Sequence, residues 1–97
     1  MKSDPIIKTD NVLVRIMVLG PEATTGWHYH SGVGDFFVCL SGVIKLEVKN
    51  PPKVLTLHPG ERAEVKATQV HKVTNIHSEN SEYLLVQGVG MYDFVKV

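Results

Sequence analysis

The chain has 97 residues, with ten basic and ten acidic side chains and a formal net charge of zero. That length gives room for one domain with one modest core. A neutral balance lacks the concentrated basic field that a nucleic-acid partner or an anionic membrane surface requires, and it offers little self-repulsion against association.

Residues 1–11 hold Pro5 and several polar groups. They predict an arm or an edge strand, followed by a single domain over 12–97. The amino terminus has no apolar h-region, and no apolar run approaches the length of a spanning helix. With one cysteine, Cys39, no internal disulfide can form, which fits a reducing compartment. A cytoplasmic protein with no membrane partner is expected.

From residue 12 the periodicity is that of strands. The run 12–19, VLVRIMVL, is rich in β-branched residues and ends at Gly20-Pro21, a turn signal. His28 and His30 follow, then Phe36–Leu40 as an apolar strand opened by Asp35. Residues 43–49 alternate, with Ile44, Leu46 and Val48 on one face and Lys45, Glu47 and Lys49 on the other. That strand has one wet face, and it stops at Asn50-Pro51-Pro52. Shorter strands are predicted at 53–57, 61–65, 70–76, 82–87 and 91–96. No stretch sustains a helical period, so an all-β sandwich or barrel is expected.

In a strand, residues i and i+2 share a face with Cα atoms about 6.5–7 Å apart. Two imidazoles so placed can both reach one ion, and Asp35 is a carboxylate at the mouth of an apolar strand, where a cation is a good partner. Alone, such a pair also reads as two ordinary surface or core histidines, and Asp35 as a turn residue.

The wider pattern resembles the cupin family. Its first motif is glycine, five residues, HxH, three or four residues, glutamate, six residues, glycine. Here the terms fall at Glu22, His28, His30, Asp35 and Gly42, with Glu22 in place of glycine and Asp35 in place of glutamate. The second motif falls at Gly60, Lys66, Thr68, His71 and Asn75, with Lys66 and Thr68 replacing proline and glycine. The resemblance runs from about Val12 to Gly88.

It implies an all-β, jelly-roll-like cupin barrel, also called a double-stranded β-helix. It also implies that His28, His30, Asp35 and His71 ligate one divalent transition metal, with Asn75 structural. Aspartate is one methylene shorter than glutamate, so Asp35 binds directly, through a water, or not at all, and three histidines alone still make a competent site. Imidazole with carboxylate suits Fe, Mn, Ni, Co or Zn without choosing among them.

The function expected is that of a metal-dependent enzyme acting on a small polar molecule, of dioxygenase, isomerase or lyase type. The alternative is a non-catalytic ligand-binding or sensor cupin, its metal structural or absent. Phe37 shares the barrel-facing side with Asp35 and Cys39 and would wall the pocket, while Cys39 reads as a core residue. Arg15 grips a substrate carboxylate if its face lines the barrel, and is an ordinary solvated charge if it faces water. Trp27 and Tyr29 point away from the ligands, toward a core layer or an interface. His58 and His77 read as surface residues. Tyr92 and Phe94 in the last strand fit packing across a homodimer.

Overall fold

The computed structural model describes residues 1–97 and contains no helix, hence none that crosses a membrane. Ten strands form two antiparallel five-stranded sheets. They are β1 (Lys2–Lys8), β2 (Val12–Leu19), β3 (His28–Tyr29), β4 (Gly34–Ser41), β5 (Ile44–Val48), β6 (Lys53–Leu57), β7 (Arg62–Val65), β8 (His71–Asn75), β9 (Ser81–Gly88) and β10 (Val95–Lys96). One sheet runs β1-β2-β9-β4-β7 and the other β10-β3-β8-β5-β6.

Strand alternation explains both faces. On β9 the inward residues are Ser81, Tyr83, Leu85 and Gln87, and on β4 they are Asp35, Phe37 and Cys39. On β5, Ile44, Leu46 and Val48 turn inward as the sequence predicts. The opposite face of that sheet carries Glu47 between Lys45 and Lys72, at 3.5 and 3.6 Å. Met17, Leu19, Phe37, Ile44, Leu46, Val73, Tyr83 and Leu85 belong to the apolar core between the sheets. Each large apolar side chain so buried contributes about 1.5–3 kcal/mol.

Register sorts the inward residues by level. Asp35 faces Gln87 across the β4–β9 ladder, while His71 faces His28 on one side and Val48 on the other. Polar groups thus gather at one end of the barrel. At the other end Asn75 ties three chain segments together. Its Nδ2 lies 2.8–3.0 Å from the carbonyls of Leu19, Gly20 and Glu79, and its Oδ1 accepts from Ser81 Oγ at 2.6 Å. The structural role expected of Asn75 is that of this knot.

Gly42 sits in the same region at φ 74°, where a Cβ would fall 2.1 Å from Ser81 Oγ, so both conformation and space demand glycine. At three other turns the left-handed backbone carries a side chain instead: Glu22 at φ 63°, Asn50 at φ 54° and Thr68 at φ 70°. Glu22 and Thr68 are the two positions at which this chain replaces a glycine of the cupin motifs.

Predicted strand boundaries hold to within one or two residues except at the end. Lys2–Lys8 form β1, which pairs with β2 at the edge of its sheet. The strand expected over 91–96 shrinks to Val95–Lys96. The chain leaves the ladder after Gly88, and residues 91–94 bring Tyr92 and Phe94 over the polar end of the barrel.

Candidate metal centre

His28 is placed by β3, and His30 lies just past the end of that strand with its alternation preserved. Asp35 comes from β4 and His71 from β8, so three strands of two sheets supply the four side chains. All four are at most 4% exposed. One candidate ligand atom from each lies within 4.8 Å of the other three.

The imidazoles are held by main chain. His28 Nδ1 donates to the Gly26 carbonyl at 2.9 Å, His30 Nδ1 to Asp93 at 2.5 Å, and His71 Nδ1 to Gln69 at 2.8 Å. A carbonyl only accepts, so each Nδ1 carries the proton and each Nε2 is left to face the site. Two of those Nε2 atoms meet Asp35 Oδ2, His71 at 2.9 Å and His30 at 3.1 Å. Without a proton or a cation between them these would be lone pairs facing lone pairs. Asp35 Oδ1 is held separately by Gln87 Nε2 at 3.0 Å, and the same nitrogen lies 3.3 Å from His30 Nε2.

Electrostatics follow from these contacts. Burial disfavours ionised Asp35, but hydrogen bonds from His30, His71 and Gln87 outweigh it and hold the carboxyl well below the usual range. Burial also opposes charge on His30, yet its bond to Asp35 raises its pKa above the ordinary value. His28 has no carboxylate against its ring, and burial lowers it to about 4, so it is neutral and open to a ligand at ordinary pH.

These four groups fit a first-row divalent ion. Bonds of about 2.0–2.2 Å place opposite donors about 4.0–4.4 Å apart, so a contraction of a few tenths of an ångström closes the set. Oriented Nδ1–H groups and a hydrogen-bonded carboxylate are the outer contacts that ligating side chains carry. The shorter aspartate is no obstacle to reach, since Oδ2 already touches two of the three histidines.

A cavity of about 260 Å³ opens beside the cluster. Phe37 lines it, as the sequence predicts, and so does Arg15. Of the two placements left open for Arg15, the structure has the cavity-lining one, half-buried, with Nη2 3.1 Å from the Tyr92 hydroxyl. Phe94 stacks on His28 at 4.3 Å between ring centroids, and Tyr92 lies 5.4 Å from His30. Asp93 is anchored between them, accepting from the Ser31 amide and hydroxyl.

Other residues lie where expected or outside the site. Cys39 is buried in the core, and burial pushes its thiol upward. His58 is exposed and bonded to Glu61, and His77 is on the distal loop beside Asn75. Trp27 belongs neither to a core layer nor to the cavity; it lies under the ammonium groups of Lys49 and Lys72, 4.4 and 4.8 Å from its ring.

Gln87, Tyr92 and Phe94 are absent from the sequence-based site. Gln87 left one signal, an amide at an inward position of an otherwise apolar strand. The two aromatics left none, because their place depends on the chain leaving the ladder after Gly88.

Comparison with known proteins agrees with this geometry. The model of the cupin domain family matches residues 15–87. No curated protein sequence matches the chain. Among solved structures, a double-stranded β-helix protein from Klebsiella pneumoniae is 24% identical, with 97% of this chain and 80% of that one covered and a TM-score of 0.82. An oxalate oxidase aligns at 14% identity over 90% of this chain and 46% of that one, with a TM-score of 0.83. Peruvianin-I, a cysteine peptidase from Thevetia peruviana latex, aligns at 16% identity over 90% and 56%, with a TM-score of 0.82. The chain spans about half the length of these last two proteins.

Proposed function

This chain belongs to the cupin domain family, and on that premise we propose that it is a metal-dependent enzyme acting on a small polar molecule, with His28, His30, Asp35 and His71 holding one divalent transition metal. One observation carries the reading. Three buried Nε2 atoms, their tautomers set by backbone carbonyls, converge with a buried carboxylate oxygen. Fe, Mn, Ni, Co and Zn all suit that donor set.

When bound, such an ion supplies Lewis acidity and positions at which a substrate or O₂ can bind, which is the basis of isomerase, lyase or dioxygenase chemistry. The chain's own residues do the rest. Phe37 and Phe94 wall the cavity with apolar surface and exclude water. Gln87 fixes Asp35, while its Oε1 is buried without a partner and is ready to accept a hydrogen bond from a bound hydroxyl or amine. The fold does not choose the reaction: the structures that share it are named for activities as different as an oxidase and a peptidase.

A second reading, a non-catalytic ligand-binding cupin, has an observation in its favour. Proton transfer needs a free acid or base. Asp35 is engaged by three partners, and the Tyr83 phenol on the cavity wall is pushed upward by burial.

Elemental analysis of purified wild type and His28→Ala tests the proposal. Near-stoichiometric metal in the wild type and its loss in the variant are expected. Absence of metal after reconstitution with each of the five ions would sink the metalloenzyme reading and leave a metal-free binding barrel.

A further inference from the structure

Arg15, half-buried on the cavity wall, is paired with no anion. Arg15 lies on β2 across from Leu85 of β9, at the level just inside the metal-ligand cluster, and it lines the same cavity as His28, His30 and Asp35. Its guanidinium has two neutral partners, Ser3 Oγ at 3.4 Å from Nη1 and Tyr92 OH at 3.1 Å from Nη2. Nε is buried and has no hydrogen-bond partner. None of the ion pairs of the protein includes Arg15. The one carboxylate on the cavity wall, Asp35, is already bonded to His30, His71 and Gln87.

A half-buried guanidinium whose Nε has no partner has one N–H edge open to an anion, beside the Tyr92 ring at 5.1 Å. The fork of Nε and Nη2 matches the two oxygens of a carboxylate, and the Tyr92 hydroxyl is a partner such an oxygen would displace. With a divalent ion at the histidines, the positive charge in the cavity exceeds what one Asp35 carboxylate balances. Between the two charged ends the wall is Phe37, Val73, Leu85 and Met17, which suits a short carbon chain.

We propose that the cavity binds a short-chain carboxylate whose carboxylate group sits in the fork of Arg15 and whose other end carries an oxygen function directed to the histidine cluster. This deepens the metal-dependent reading and rests on it for the second end of the ligand. A dry cavity of about 150 Å³ takes benzene, so one of about 260 Å³ admits roughly ten non-hydrogen atoms.

Calorimetric titration of malonate and glutarate, with their diamides as uncharged controls, tests the assignment. Wild type, Arg15→Met and Arg15→Lys are each titrated metal-free and zinc-loaded, with zinc content and circular dichroism measured on the same samples. At least one diacid should bind zinc-loaded wild type at least tenfold more tightly than it binds Arg15→Met. Arg15→Lys should fall between, and the diamides should bind none of them. Arg15→Met should keep its zinc and its fold, because no metal ligand touches Arg15.

Equal binding of the diacid by zinc-loaded wild type and Arg15→Met overturns the inference and leaves the metal reading intact. So does equal binding of diacid and diamide, or failure of both diacids to bind the zinc-loaded wild type. A wild type that takes up none of Fe, Mn, Ni, Co or Zn yet binds a diacid through Arg15 overturns the metal reading and leaves the carboxylate fork standing.

Discussion

At the scale of single residues, the site sets a contest between a proton and a metal ion. Hydrogen bonding to Asp35 holds a proton on His30, whereas His28 is lowered to about 4 and stays neutral through the ordinary range. A ligating histidine must be deprotonated at the coordinating nitrogen, so metal binding releases the His30 proton. Because the His30 pKa is raised, that competition begins at higher pH than for a free histidine and grows as pH falls. Metal affinity, measured by competition with a chromogenic chelator, should weaken by at least about tenfold per pH unit below the His30 pKa. An affinity independent of pH between 5 and 8 would remove His30 from the ligand set.

Elements raise a different matter, the turns that aim these side chains. Thr68 holds a left-handed conformation that costs a non-glycine residue about 1–2 kcal/mol, and its amide donates to the His30 carbonyl at 2.7 Å. Glu22 does the same in the turn before β3. Both side chains are exposed. Glycine recovers the strain and loses part of it to unfolded-chain entropy. Thr68→Gly and Glu22→Gly should each therefore stabilise the protein by about 0.5–1 kcal/mol in urea denaturation. A destabilised double variant would mean that these turns are not strained.

These same turns show how far the sequence was legible. The spacing of His28, His30, Asp35 and His71 survives where two family glycines and one glutamate do not, because strand alternation depends on spacing while the backbone can absorb the odd left-handed side chain. The strands β2 and β5 announced themselves by β-branched runs and period-two alternation, which are local. Where the inward face of Arg15 pointed was a matter of tertiary packing, and VLVRIMVL is apolar on both faces, so alternation alone could not decide it. Residues 91–94 are the plainest failure: their aromatics have strand propensity, but contacts with His28 and His30, some sixty residues away, override it.

For the whole molecule, the balance between core and staple is what matters. A barrel of 97 residues with a Cα radius of gyration of 12.3 Å has little core to spare, and four buried polar ligands occupy one end of it. An ion bound at a hundred times its dissociation constant adds about 2.7 kcal/mol, which for a domain this size raises Tm by about 10–20 °C. Removing the metal from the loaded protein with a chelator should lower Tm by that amount. His28→Ala should show no such difference between treated and untreated samples. A loaded protein whose melting ignores the chelator would mean that the ion contributes nothing to the folded state.

The three main-chain carbonyls behind the imidazoles have a consequence for inheritance. A supporting contact made by a side chain can be lost in one codon change; one made by the backbone of Gly26, Gln69 or Asp93 cannot. Position 69 can therefore drift, provided its turn keeps its shape, whereas Gly26 at φ 73° is held to glycine by its backbone and Asp93 by its bonds from Ser31. Gln87 is the side chain outside the cluster that hydrogen-bonds its carboxylate, and through it selection can adjust the cluster. Across diverged copies of this protein, retuning of the metal should be written at position 87 sooner than in the residues that hold the rings.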